Sequence, residues 1–200
     1  MHCHGQGDRG VYGAEETNER KRGKMLFELM LTEIQKKYPD VHGKLIDIKG
    51  VVFEERVKMN CFYCGKYNSN WKCPPHVPQL DWKMIMEEYE NGAFIWLDYE
   101  YKEKNFEEIR RETSIVLHKA LLESERFFYQ HNIPMAISFI GGSCKLCKDG
   151  CGKDRCNNPY MARSPLESIG VNVVKSALNN GIEIKFPPES SLMRIGLVLW

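Results

Sequence analysis

The sequence predicts an α+β fold in which helices pack on a mixed β-sheet. Three observations point there. Helical and extended apolar patterns alternate along the chain, Gly and Pro punctuate them at short intervals, and the last two extended segments lie close enough to pair as a hairpin. With 200 residues, 42% of them hydrophobic, the chain can bury a core of its own. No repeat and no linker divides it, so residues 25–200 are expected to form a single domain.

Residues 1–24 (MHCHGQGDRGVYGAEETNERKRGK) are polar, Gly-rich and charged, and are expected to be disordered. Their His2, Cys3 and His4 can bind metal, but a flexible terminus makes a weak site. Arg22-Gly23-Lys24 can be encoded by a purine-rich stretch resembling a ribosome-binding site, which makes Met25 a candidate native start. From Met25 to Tyr38, Leu26, Leu29, Met30 and Ile34 recur at helical spacing. Residues 44–56 (KLIDIKGVVFEER) alternate and are rich in Val and Ile, reading as extended structure that leads into the first cysteines. Asp81 caps a short helix through Asn91, stopped by Gly92, and Ala93 to Tyr99 has strong strand composition.

Asn105 and Glu108 form a capping box that opens a long helix. Its apolar stripe is Ile109, Val116, Leu117, Ala120, Leu121, Phe127 and Phe128, and it ends near His131-Asn132. Met135 to Ile140 reads as a strand running into Gly141-Gly142. Ser164-Pro165-Leu166-Glu167 is a helix start, with Ser at the cap, Pro at the first position and Glu closing the box. That helix is expected to run to Asn179-Asn180-Gly181, followed by strands over Ile182–Phe186 and Met193–Trp200.

Seven of the eight cysteines fall in two groups. The first reads Cys61-x2-Cys64-x8-Cys73-Pro74-Pro75. The second reads Cys144-x2-Cys147-x3-Cys151-x4-Cys156-x2-Pro159. Packing needs only one buried sulfur, whereas thiolates this close repel unless a cation sits among them. The spacing predicts metal-binding loops. Gly141, Gly142, Gly150 and Gly152 let the second loop wind around a bulky centre, and the trailing Pro echoes ferredoxin sequences with different spacings. Lys145, Lys148, Lys153, Arg155 and Arg163 surround it in sequence and either offset its charge or are solvated. A [4Fe–4S] cluster and a structural Zn2+ both suit four thiolates.

Cys61, Cys64 and Cys73 are one thiolate short of a closed site. The fourth ligand is His76, or Cys3, or an exchangeable group at an open iron or a catalytic zinc. Cys73-Pro74-Pro75 predicts an extended exit, and Trp71 and Trp82 flank the site as shields or as core. His42, His118 and His131 show no ligand spacing. Glu87-Glu88 and Glu107-Glu108 read as solvated faces, and no phosphate loop, G-x-S-x-G or H-E-x-x-H is present.

The chain resembles a family of bacterial and archaeal proteins, a domain of unknown function described as predicted cysteine-rich metal-binding proteins. The residues that carry the likeness are Cys61-x2-Cys64, Trp71-x-Cys73-Pro74-Pro75, Gly141-Gly142-x-Cys144-x-Leu146-Cys147-x3-Cys151, Cys156-x2-Pro159 and Ala162-x-Ser164-x-x-Glu167-x-x-Gly170-Val171-x-Val173. It spans roughly residues 26–200 and departs at Asn157, where an Arg often follows the fourth cysteine. The resemblance implies metal binding without supplying a reaction.

A net charge of +1 argues against a nucleic-acid surface, and no apolar run approaches the roughly 20 residues of a membrane helix. With no export signal visible, the expected setting is the cytoplasm, where close cysteines are metal ligands rather than disulfides. The leading expectation is an iron–sulfur protein holding one or two [4Fe–4S] clusters at Cys61, Cys64, Cys73, Cys144, Cys147, Cys151 and Cys156. It would transfer electrons to a protein redox partner or assist an enzyme. The alternatives are a zinc-stabilised binding module and an enzyme that uses an open metal position at the three-cysteine site.

Overall fold

A four-stranded sheet in the order β1-β2-β4-β3 organises the molecule. The computed structural model describes residues 18–100, 105–185 and 191–200. In chain order the elements are α1 (Asn18–Lys37), β1 (His42–Ile46), α2 (Glu55–Tyr63), α3 (Trp82–Glu87) and β2 (Gly92–Glu100). They are followed by α4 (Phe106–Gln130), β3 (Ile137–Phe139), α5 (Val173–Asn179) and β4 (Ser191–Leu199).

The α+β class holds, and the sheet is antiparallel rather than mixed. Parallel pairing is confined to a single bridge between Ile140 and Pro165. Strands β1 and β3 each meet their neighbour through reversals of direction, so no parallel crossover is needed.

Alternation along β2 explains why its sequence is apolar on both sides. Ala93, Ile95 and Leu97 join one core with α1 and α4, while Phe94 joins a second core with Leu166, Ile169, Val171 and Ala177. A sheet covered on both faces reads as a continuous apolar run. β4 behaves alike, sending Val198 to the first core and Leu197 and Leu199 to the second. The stripe expected on α4 is realised by Leu117, Ala120, Leu121, Phe127 and Phe128, all buried. Trp200 stacks on Phe128 with ring centroids 4.4 Å apart and closes that core.

Four expectations change. Residues 18–24, expected to be disordered, are the first turns of α1, and Gly23 is buried there; residues 1–17 lie outside the described residues. The 44–56 segment gives only β1, then a short 3-10 turn at Ile48–Gly50, and helix α2 begins at Glu55. The helix expected from Ser164 is divided into a 3-10 turn, Glu167–Ile169, and α5. Gly170 ends the first piece at φ +92°, a left-handed conformation that stops helix propagation. Ser164 is not a cap: its carbonyl accepts from the Ile140 N–H at 3.1 Å, and the Leu166 N–H returns to Ile140 at 3.0 Å. Residues 182–185 form no strand, Phe186 lies outside the described residues, and the final strand lies inside the sheet instead of pairing in a hairpin.

Candidate metal centre

Cys61 lies in the last turns of α2 and Cys64 is that helix's C-cap. The chain then doubles back. Asn68 N–H donates to Pro74 O at 2.9 Å, Cys73 N–H to Asn70 O at 2.9 Å, and His76 N–H to Cys73 O at 3.0 Å. The expected extended exit after Cys73 is therefore a turn, and the Pro74–Pro75 peptide is cis. Cys73 is 6% exposed, Cys61 is half-buried and Cys64 is exposed. All three thiols line one cavity of about 270 Å³, with Arg110, Gly142, Ser143 and Glu167 on its other walls.

The second group occupies the loop that leaves β3. Gly141 is required where that loop departs, because a Cβ there would fall 2.2 Å from the Ile195 carbonyl oxygen of β4. Cys144, Cys147, Cys151 and Cys156 are half-buried and line a cavity of about 550 Å³. The two cavities share Lys66, Arg110 and Ser143, so the cysteine groups stand side by side. Hydrogen bonds fasten one loop to the other. Asn70 Nδ2 donates to Cys144 O at 3.0 Å, and Trp71 Nε1 donates to Gly152 O at 2.7 Å. From α4, the Arg111 guanidinium reaches Cys147 O at 3.4 Å and Lys148 O at 3.3 Å. Asn158 Nδ2 lies 3.1 Å from Cys147 Sγ and donates to it.

Electrostatics ties the groups together. Burial, with help from Glu167 and Cys64, pushes the Cys61 thiol up to about 11. Burial, then repulsion from Cys64, Cys61, Glu167 and Cys144, pushes Cys73 up to about 12. Cys144 is raised by burial and by Cys147, Cys156 and Cys151, against a hydrogen bond from the Leu146 backbone. These thiols hold their protons unless a cation replaces them, so loading the site with metal releases protons. Cations line the same space. Lys145 is lowered to about 8 by burial and by the charges of Arg194, Arg110 and Lys66.

Among the described residues, the seven cysteines of the two groups are free thiols, soft donors of the kind that hold zinc or iron–sulfur clusters. Among the described residues, no group of three or more Cys, His, Asp or Glu side chains is arranged to hold a metal ion. The thiols ring two spaces instead of closing on a point.

The family model described as Predicted metal-binding protein (DUF2284) matches residues 44–200, more than half of the chain and both cysteine groups. The chain belongs to this family. No curated protein and no solved structure matches it.

In this member of the family the sequence expectations divide clearly. Both cysteine groups line cavities, and Trp71 joins their loops. His76 lies outside the three-cysteine cavity, its ring 4.3 Å from that of Trp71. Cys3 lies outside the described residues. Trp82 is half-buried and packs against the second core, edge-on to Phe139 at 5.9 Å. Of the loop cations, Lys145 lines a cavity, Lys148, Lys153 and Arg155 are exposed, and Arg163 pairs with Glu125 on α4. Glu107 is exposed, as expected of a solvated face, and pairs with Arg110 at 2.9 Å at the cavity edge.

Sequence reasoning missed Asn70, Arg110, Asn158, Arg194 and the place of Glu167. Only Glu167 carried a signal, and it read as a helix cap. His118, given no role, is buried with Nε2 2.9 Å from Met161 O, bracing the segment that follows Cys156.

Proposed function

We propose that this chain is an iron–sulfur protein holding [4Fe–4S] clusters at Cys144/Cys147/Cys151/Cys156 and at Cys61/Cys64/Cys73, and that it passes electrons to a partner protein or serves a partner enzyme. The observation that carries this reading is the pair of adjoining cavities, each ringed by one cysteine group. Four thiolates on a single zinc ion stand about 2.3 Å from it, whereas the four cysteines here line, with Lys66, Arg110, Lys145 and Asn158 among others, a cavity of about 550 Å³ that has room for a group of several atoms.

A bound cluster would supply one-electron transfer. The chain's own residues would set its potential and access. The Asn158 amide on Cys147 Sγ withdraws charge from the sulfur and favours the reduced form. Lys66 and Arg110, between the cavities, offset the negative charge of thiolate-bound iron. Beside exposed Cys64, Phe62, Tyr63 and Tyr67 form an exposed aromatic cluster, with Phe62 ring centroids 5.1 and 4.9 Å from the other two. Exposed aromatics next to a redox centre suit a docking face for a cytoplasmic partner.

Purification without oxygen, with analysis of iron, inorganic sulfide and zinc, tests the reading. A brown protein with matching iron and sulfide is expected. A colourless protein containing zinc alone would overturn it in favour of a zinc-stabilised binding module.

A further inference from the structure

The three-cysteine cavity contains an acid that no local sequence rule places there. Glu167 lies on its wall with Cys61, Cys64 and Cys73, and is the only carboxylate among the described residues that line it. Its position is fixed by backbone. Leu166 is hydrogen-bonded to Ile140 on one side, and on the other Gly170 closes the 3-10 turn through its N–H to Glu167 O at 3.1 Å. Among the described residues the carboxylate is held by backbone and by no close cation. It accepts from the Gly142 N–H at 3.4 Å and from its own backbone N–H, and the charges of Arg194 and Lys145 act on it through space. Burial raises its pKa, and it is near enough to Cys61 and Cys73 to raise theirs. Arg194, Lys145 and the cavity's own Lys66 and Arg110 offset part of this charge, but a carboxylate recessed beside three thiols is held most favourably when a positive centre joins all four.

We propose that Glu167 is the fourth protein ligand of the Cys61/Cys64/Cys73 centre, bound through its carboxylate oxygen. The inference rests on the iron–sulfur reading above. His76, the ligand suggested by sequence, lies against Trp71 outside the cavity, and the other polar walls are Lys66 and Arg110, cations that cannot bind iron, and Asn60, Ser143 and Ser168, neutral groups that are weaker donors than a carboxylate. Carboxylate oxygen is a harder donor than thiolate and exchanges more readily on iron–sulfur centres. One iron of this centre is therefore held in place yet open to displacement by an added thiol or a substrate anion.

The test uses the full chain as wild type, Glu167→Gln and Glu167→Cys, purified without oxygen, with circular dichroism to confirm the fold. Mössbauer spectra of wild type enriched in the active iron isotope are expected to show one iron with oxygen in its coordination shell. Glu167→Gln should lose that subsite and hold iron about 10- to 100-fold more weakly in chelator competition. Glu167→Cys should regain retention with an all-sulfur signature, which a merely structural role for Glu167 would not produce. Folded Glu167→Gln with the wild-type spectrum, or wild type without an oxygen-ligated iron, overturns the proposal. If wild type holds zinc, the iron–sulfur reading fails on its own, and zinc-edge X-ray absorption of the same proteins decides Glu167: one oxygen among three sulfurs, replaced by sulfur in Glu167→Cys, supports it. Metal content unchanged by Cys64→Ser shows that no metal sits at these three cysteines and overturns the Glu167 proposal, while the four-cysteine centre is judged separately by Cys147→Ser.

Discussion

Asn158 and His118 show how single side chains other than its cysteines support the second cysteine loop. The Asn158 amide donates to Cys147 Sγ, so Asn158→Ala removes charge withdrawal from that sulfur. The expected outcome is a lower reduction potential for the four-cysteine centre with unchanged iron content, measured by spectroelectrochemical titration. His118 acts on stability. Its burial holds the imidazole at about 4 against an ordinary value of 6.5, partly opposed by the Met161 carbonyl. Between those values the unfolded chain takes up a proton that the folded protein refuses, so stability falls as pH drops from about 6.5 to about 4 and levels off below. The full effect is about 3 kcal/mol. Urea unfolding at pH 7 and pH 5 should show a smaller loss for His118→Gln than for wild type, and equal losses would refute the assignment.

At the scale of elements, the loop from Gly141 to Arg163 has few contacts of secondary structure and is held by its neighbours' side chains. Asn70, Trp71 and Arg111 each donate to a carbonyl within it. A metal bound by its four thiolates would add cross-links that those bonds do not replace. Cys147→Ser is expected to lower metal content and Tm together, with unchanged metal stoichiometry as the contrary result. The α2 loop offers only three cysteines, one of them exposed, so its centre should be lost first on controlled exposure to air. EPR of Cys64→Ser and Cys147→Ser distinguishes the two centres, and equal rates of loss would argue against unequal ligation. The N-terminal helix makes a different prediction. A chain beginning at Met25 lacks Asn18–Lys24, including buried Gly23, so it should keep its metal and melt several degrees lower, as about 1–2 kcal/mol requires.

For the whole molecule, the sheet is a partition with a core on each face, and the site lies where β3 leaves it beside Arg194 of β4. The sequence by itself determined the chemistry and the strongest elements. Thiol spacing within each loop is local, α4 repeats its apolar stripe over many turns, and β2 carries an unbroken apolar run, so composition and period suffice to read them. Ser164 to Asn179 misled because its capping signals are also local, and pairing with Ile140 and the left-handed Gly170 outweighed them. The tertiary structure alone decided that the cysteine groups adjoin, that Glu167 faces the first and that His118 braces the second. Bonds such as Asn70 to Cys144 and Trp71 to Gly152 join residues 74 and 81 positions apart, and no local pattern encodes a contact that exists only once the sheet has brought both loops to one end.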